Sequence, residues 1–281
     1  MSRSPISPTS PTSLASPVTS YSSALSNYTN LIIVCGHATY IGDGTDTSED
    51  QWILAPFQRS NREWRKRSEH ETFLAHIHLA ALSAQHDSRA MIIFSGARTT
   101  SSAGSRSEAE GYAMILLHLA RSSPNLFSRE MQFALETHAT DSYQNLLFSI
   151  LRFRQLTGAY PRDVTVITHA FKERRFLEQH APAIKWPAHR IRVAGLNPPF
   201  SAVELEEVMQ GEKSRAYDLF AEDPYGMRAV LAEKRRARNW DAARANVFLG
   251  FGLGKEVAGL LEWMGGVSGW ETFPGRLPWQ D

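Results

Sequence analysis

Residues that bind anions or move protons recur just after short apolar runs of this sequence. Gly36 and His37 follow Leu31 to Cys35, and Ser95, Gly96 and Arg98 follow Met91 to Phe94, with Ser107 and Glu108 a little further on. Glu136, Thr137, His138 and Asp141 follow the run that starts at Gln132, and Asn145 comes one helical turn later. Thr168, His169, Lys172, Arg174 and Arg175 stand at and after the run from Val164. Lysine and arginine bind phosphates and carboxylates, while Glu, Asp and His exchange protons or ligate metals. The set suits a small anionic or nucleotide-like molecule, with hydrolysis or group transfer as the chemistry. In that picture Lys172 and Arg175 hold the anion, Glu136 or His169 moves the proton, and Glu108, Asp141 and Asn145 orient the ligand or its water. The pattern does not say whether a metal takes part.

Each residue also has a purely structural explanation. Gly36 and Gly96 could serve only to turn the chain sharply out of a strand. Ser107 and Asp141 are good helix caps, and Glu108 in a first turn is favoured by the helix dipole without any ligand. An exposed amide at Asn145 would be unremarkable on a polar helix face. His37 and His169 could each bond a loop carbonyl. Arg174 and Arg175 diverge on a helix, so only one of them points at a shared site.

The flanking patterns say what positions these residues. Leu31 to Cys35 is an uninterrupted apolar run ending in Gly36, as a strand buried on both faces requires. Ser60 and Glu63 have capping-box spacing and predict a helix to about Gln85; Ser107 and Glu110 predict another to about Leu119. After Asp141, the residues Tyr143, Leu146, Leu147, Ile150 and Leu151 form one helical stripe. Val164 to Thr168 reads as a strand, the segment through Phe176 and Leu177 as a helix, and Ile191 to Ala194 as a fifth strand. Alternation of this kind predicts an α/β fold, Rossmann-like and doubly wound, with a mainly parallel sheet and helices on both faces. Ligands of such sheets bind beyond the carboxyl ends of the strands, where the residues above stand. After Pro198-Pro199 only helices are expected, over Ala202 to Gln210 and about Tyr225 to Arg238. The last forty residues are rich in Gly and Trp and have no assigned element; they could cover one edge of the sheet.

The chain has 281 residues, 42% hydrophobic and 21% charged, enough for a substantial core. Its 30 basic and 29 acidic residues leave a formal charge of +1, so no global field draws it to nucleic acid or an anionic membrane. Cys35 is the single cysteine, which rules out an intramolecular disulfide and a multi-cysteine metal site. No apolar run reaches the roughly 18 residues of a membrane span. Residues 1–30 are dominated by Ser, Pro and Thr and are expected to be a disordered tail, residues 31–245 a single α/β domain, and 246–281 an extension of uncertain structure. An intracellular, cytoplasmic setting is expected, with organelle targeting by the acid-free tail as the alternative. Dinucleotide, P-loop, nucleophile-elbow and zinc-protease motifs are absent.

At the same positions the chain resembles the SanA/ElyC/YdcF-like family, a domain of unknown function. The resemblance rests on Ser95-Gly96 followed by Ser107-Glu108-Ala109, on Glu136, Ala139, Asp141, Ser142 and Asn145, and on VITHAFKERRF from Val166 to Phe176. CHATY after the first strand, WILAPFQ from Trp52, and DPYG with KRRARNW between Asp223 and Trp240 resemble its fungal branch. Ala97 and Lys172 depart from the bacterial pattern, which has glycine and histidine there. The resemblance implies a Rossmann-like fold, and S-adenosylmethionine as a cofactor some members are reported to bind. Two other functions fit the sequence: a non-catalytic module holding a nucleotide or S-adenosylmethionine, and a scaffold using Trp263, Trp270 and Trp279 as anchors. Oligomeric state is not encoded in any visible pattern.

Overall fold

Alternation along the central strand dictates the layers. In β1 (Asn30–Cys35), Leu31, Ile33 and Cys35 join one buried cluster and Ile32 and Val34 another, because successive side chains leave opposite faces of the sheet. Both faces are therefore covered, and the run must be apolar throughout. The computed structural model describes residues 25–63, 65–123, 131–241, 246–249 and 252–280.

Four further strands complete the main sheet: β4 (Ala90–Ser95), β5 (Phe133–Glu136), β6 (Asp163–Thr168) and β7 (Ile191–Gly195). They lie in the order β5-β4-β1-β6-β7, and every neighbouring pair is parallel. The chain winds outward from β1 in one direction and then in the other, so the switch point falls between β1 and β6. This is the doubly wound, Rossmann-like topology. A two-stranded hairpin, β2 (Thr39–Tyr40) with β3 (Trp52–Ile53), lies in the loop after β1. It went unforeseen, being too short to leave a pattern.

Helices α1 (His70–His86) and α2 (Glu108–Ser122) cover one face, and α3 (Ser142–Thr157) covers the other. The α2 start is the expected capping box: Ser107 Oγ accepts from the Glu110 N–H, and Glu110 accepts the Ser107 N–H in return. Asp141 caps α3 by accepting the Gln144 N–H, and Gly158 ends it at φ 82°. The expected box at Ser60 and Glu63 does not open α1. Ser60 donates its hydroxyl and its N–H to Glu49, Asn61 pairs with Lys66, and the helix begins ten residues later.

After β6 the chain makes a π-helical segment, Arg175–His180, instead of a regular α-helix, and α4 (Ala181–Ala183) continues it. Beyond β7 come α5 (Ala202–Glu212), a second π-helical segment Lys213–Tyr217, and α6 (Asp218–Glu222). The helix expected from Tyr225 begins only at α7 (Ala229–Ala237): Tyr225 is a buried core residue, and Gly226 at φ 66° turns the chain.

The C-terminal residues, expected at a sheet edge, lie on the α3 face. There α8 (Asn246–Leu249), α9 (Lys255–Glu262) and the segment after them add Phe248, Val257, Leu260, Phe273, Leu277 and Trp279 to the cluster around α3. Trp279 is buried and donates its indole N–H to the Ile184 carbonyl at 2.7 Å, whereas Trp270 is exposed. Of the expected N-terminal tail, residues 1–24 lie outside the described residues. Leu25 and Tyr28 pack against the core and Asn30 opens β1, so residues 25–30 are part of the fold.

Candidate functional site

At the carboxyl ends of the strands, parallel register places Glu136, Ser95 and Cys35 side by side, with Thr168 next in line on β6. All four are buried. They share the α3 face, because each lies an even number of residues beyond a strand residue of the α3 cluster. Asn145 of α3 meets this row. Ser95 Oγ lies 2.6 Å from Glu136 Oε2 and 2.9 Å from Asn145 Oδ1, and Glu136 Oε1 also accepts the N–H groups of His138 and Ala139. Burial lifts the Glu136 carboxyl to about 7.

Above the row lies a cavity of about 650 Å³. Its floor and walls include Cys35, Gly36, His37, Glu108, Asn145 and Thr168, with His169, Lys172 and Arg175 rising beside them. Of the other residues singled out from sequence, Asp141 also lines it, but Ser95, Gly96, Ser107 and Glu136 do not. Ser107 is occupied by its capping box. Glu136, expected to move the substrate's proton, sits one hydrogen-bond chain behind the wall, linked through Ser95 to Asn145.

Glu108 takes the position expected for Glu136. Its buried carboxyl faces the cavity and accepts the Thr99 hydroxyl at 2.6 Å. Gly36 and Gly96 make room for it: a Cβ on either would fall 2.5 or 2.8 Å from Glu108 Oε2. Both glycines are thus required by close approach of a side chain. Burial raises the Glu108 carboxyl above its ordinary range, with the Thr99 bond opposing.

Beside it, the Lys172 ammonium donates to His37 Nδ1 at 3.2 Å, so His37 carries its proton on Nε2, 3.3 Å from Thr168 Oγ1. Burial, with the positive charge of Arg175, brings Lys172 down to about 8. His37 and His169 stay neutral because burial and then Lys172 push them well below the ordinary imidazole value. Both ring nitrogens of His169 are buried without a hydrogen-bond partner, as is Nε of Arg175. The Cys35 thiol, raised to about 12 by burial, stays protonated and is no nucleophile at neutral pH.

The roof comes from α5 to α7 and was not foreseen. Glu212, Arg215, Lys234 and Arg238 face the cavity from it, and Glu69 and Gln58 close the opposite side. Only the basic run from Lys234 to Arg238 could have announced any of these. Three of the lining charges are neutralised locally: Arg175 pairs with Glu212 at 3.0 Å, and Asp141 pairs with Arg235 at 2.6 Å. Although burial alone would raise Asp141, the Arg235 guanidinium holds it below the ordinary carboxylate range. No carboxylate among the described residues pairs with Lys172, Arg215, Lys234 or Arg238; the Arg238 guanidinium instead donates to the Thr140 carbonyl, and Lys234 to that of Arg215. Among the described residues no group of three or more His, Cys, Asp or Glu is placed to hold a metal. No described helix is long and apolar enough to cross a membrane.

Fold and cavity define a doubly wound α/β protein with a roofed, cation-lined crevice at its switch point. Over 230 residues the chain is 30% identical to the uncharacterized protein YOR238W of Saccharomyces cerevisiae, covering 68% of this chain and 74% of that one, and it belongs to the family of that protein. No family model matches the chain, and no solved structure matches it.

Proposed function

We propose that this chain is an enzyme that binds a small anionic or nucleotide-like substrate in the roofed cavity and catalyses its hydrolysis or group transfer. The observation that carries the reading is the meeting, in one enclosed space, of four basic side chains without carboxylate partners and a buried carboxyl. Lys172 and Lys234 are half-buried and Arg215 and Arg238 exposed, and an anionic ligand supplies the counter-charge that the fold leaves out. Lys172 and the roof residues hold the anion. Glu108, protonated more readily than an exposed glutamate, gives or takes the proton, and His169 offers two unpartnered nitrogens to orient ligand or water. Arg175 and Asp141, each held in an ion pair, shape the site.

The motif likeness to the SanA/ElyC/YdcF-like family supports the same location, since Glu108, Asp141, Asn145, Lys172 and Arg175 all border the cavity. S-adenosylmethionine fits less well, because its sulfonium would meet four basic groups without ion-pair partners against two such carboxyls, Glu69 and Glu108. Cys35, a buried free thiol, suits a reducing, intracellular setting.

The test is to incubate the purified chain with pooled small metabolites, follow substrate loss and product gain by mass spectrometry, and repeat with Glu108→Gln. Turnover by the wild type that falls at least about 100-fold in the variant, with unchanged folding, is expected for loss of a general acid–base. Recovery of a bound ligand unchanged would assign the cavity to a non-catalytic binding module.

A further inference from the structure

Three rings form a column along one wall of the cavity. His37 stacks on His169 with centroids 4.3 Å apart and planes 19° apart, and His169 stacks on Phe171 at 4.9 Å and 14°. The column ends at Phe171, which is only partly buried, and Phe200 stands 6.4 Å away at 42°. Both phenylalanines line the cavity. The Lys172 ammonium, one of the four basic groups that line the cavity, lies 5.8 Å from the centre of the Phe171 ring. The cavity thus offers an aromatic surface with one cation beside it, and three more basic groups on the same lining.

We infer that the ligand of this cavity is a nucleoside phosphate, its base against Phe171 and Phe200 and its phosphate held by Lys172 with Arg215, Lys234 and Arg238. This inference rests on the anionic-ligand reading above and narrows it to one chemical class. Each half of the ligand answers a separate feature. A base continues a stack of parallel rings, an interaction open to every base because each has a π-face. A phosphate ester carries close to two negative charges at neutral pH and three acceptor oxygens, which several point charges and guanidinium forks satisfy better than a single carboxylate does. A volume of about 650 Å³ suits a ligand of nucleotide size. A sugar phosphate would leave the aromatic end without a partner, and a nucleoside would leave the cations without one.

The experiment is isothermal titration calorimetry of the full chain with AMP, GMP, CMP and UMP, the matching nucleosides, ribose 5-phosphate, inorganic phosphate and succinate. At least one nucleotide is expected to bind at least about 10-fold more tightly than both its nucleoside and ribose 5-phosphate, as the loss of one stacking or one ionic interaction implies. Phe171→Leu keeps apolar bulk and should weaken that nucleotide about 5- to 100-fold while leaving ribose 5-phosphate within about 2-fold. Arg215→Ala, at an exposed residue whose loss leaves the core intact, should weaken the nucleotide and inorganic phosphate alike. Equal affinity for ribose 5-phosphate and the nucleotide, or for nucleoside and nucleotide, overturns the inference. Binding of succinate alone overturns it while leaving the anionic site standing; binding of no anion removes both.

Discussion

Replacing Glu136 by glutamine isolates the energetics of the polar row beneath the cavity. Burial holds this carboxyl at about 7, against an ordinary 4.5. Its native proton is therefore bound more tightly than in the unfolded chain by about 3 kcal/mol, at roughly 1.36 kcal/mol per pH unit. The stability linked to this group is fully present below pH 4.5 and is lost as pH rises through 7. Glutamine reproduces the protonated form: its amide can donate to Ser95 Oγ, its carbonyl can accept the His138 and Ala139 N–H groups, and Ser95 is left to donate to Asn145 Oδ1. Urea unfolding of wild type and Glu136→Gln across pH 4 to 9 should give equal stabilities near pH 4 and an advantage to the variant that grows to about 3 kcal/mol by pH 8. The buried neutral histidines destabilise both proteins equally on acidification, so they cancel in the difference. A difference that stays flat with pH, or a wild type more stable than the variant at pH 8, would refute the idea that burial dominates over the three hydrogen bonds to the carboxylate.

Binding of an anion should raise the pKa of Lys172, so affinity for a phosphate ligand should fall as pH rises through about 8, where the free lysine loses its charge; titration calorimetry from pH 7 to 9 measures this, and Lys172→Arg should flatten the profile. Arg235→Ala leaves the largely buried Asp141 carboxylate at the start of α3 without its ion-pair partner, and should lower unfolding free energy by about 3 kcal/mol by chemical denaturation. Gly36→Ala places a Cβ 2.6 Å from the Cβ of Glu108, so the backbone must move; a loss of about 1–3 kcal/mol is expected, with ligand binding impaired because Glu108 is displaced. Trp279→Ala removes a buried indole that packs on Trp186 and Tyr160, and should cost about 3–5 kcal/mol, which a scaffold anchor held out in solvent would not.

What could be read from sequence was what neighbouring residues decide among themselves. The apolar runs of β1, β4 and β6 announce a sheet covered on both sides, because no polar alternation interrupts them. The capping box at Ser107 and the simple cap at Asp141 locate two helix starts because the bonds that make them span only three residues. Ser60 and Glu63 have the same spacing, yet Glu49, eleven residues away, takes the Ser60 hydroxyl. Glu136 stands at a strand end as read, but which side of the wall it lies on depends on alternation along β5 and on the depth of α3. Roof residues such as Arg215, in a π-helical segment, and Lys234, in α7, belong to short helical stretches, and nothing local reveals that these face the cavity.

That late origin of the roof sets the order in which the site is built. Its floor is laid down by the first 175 residues, its ceiling arrives after residue 200, and the hydrophobic anchorage behind both runs to Trp279. A ribosome-bound chain that has emerged only through β7 would present Lys172 and Glu108 to open water, with no enclosure around them. Competence to bind should therefore appear abruptly, once nearly the entire polypeptide is free to fold.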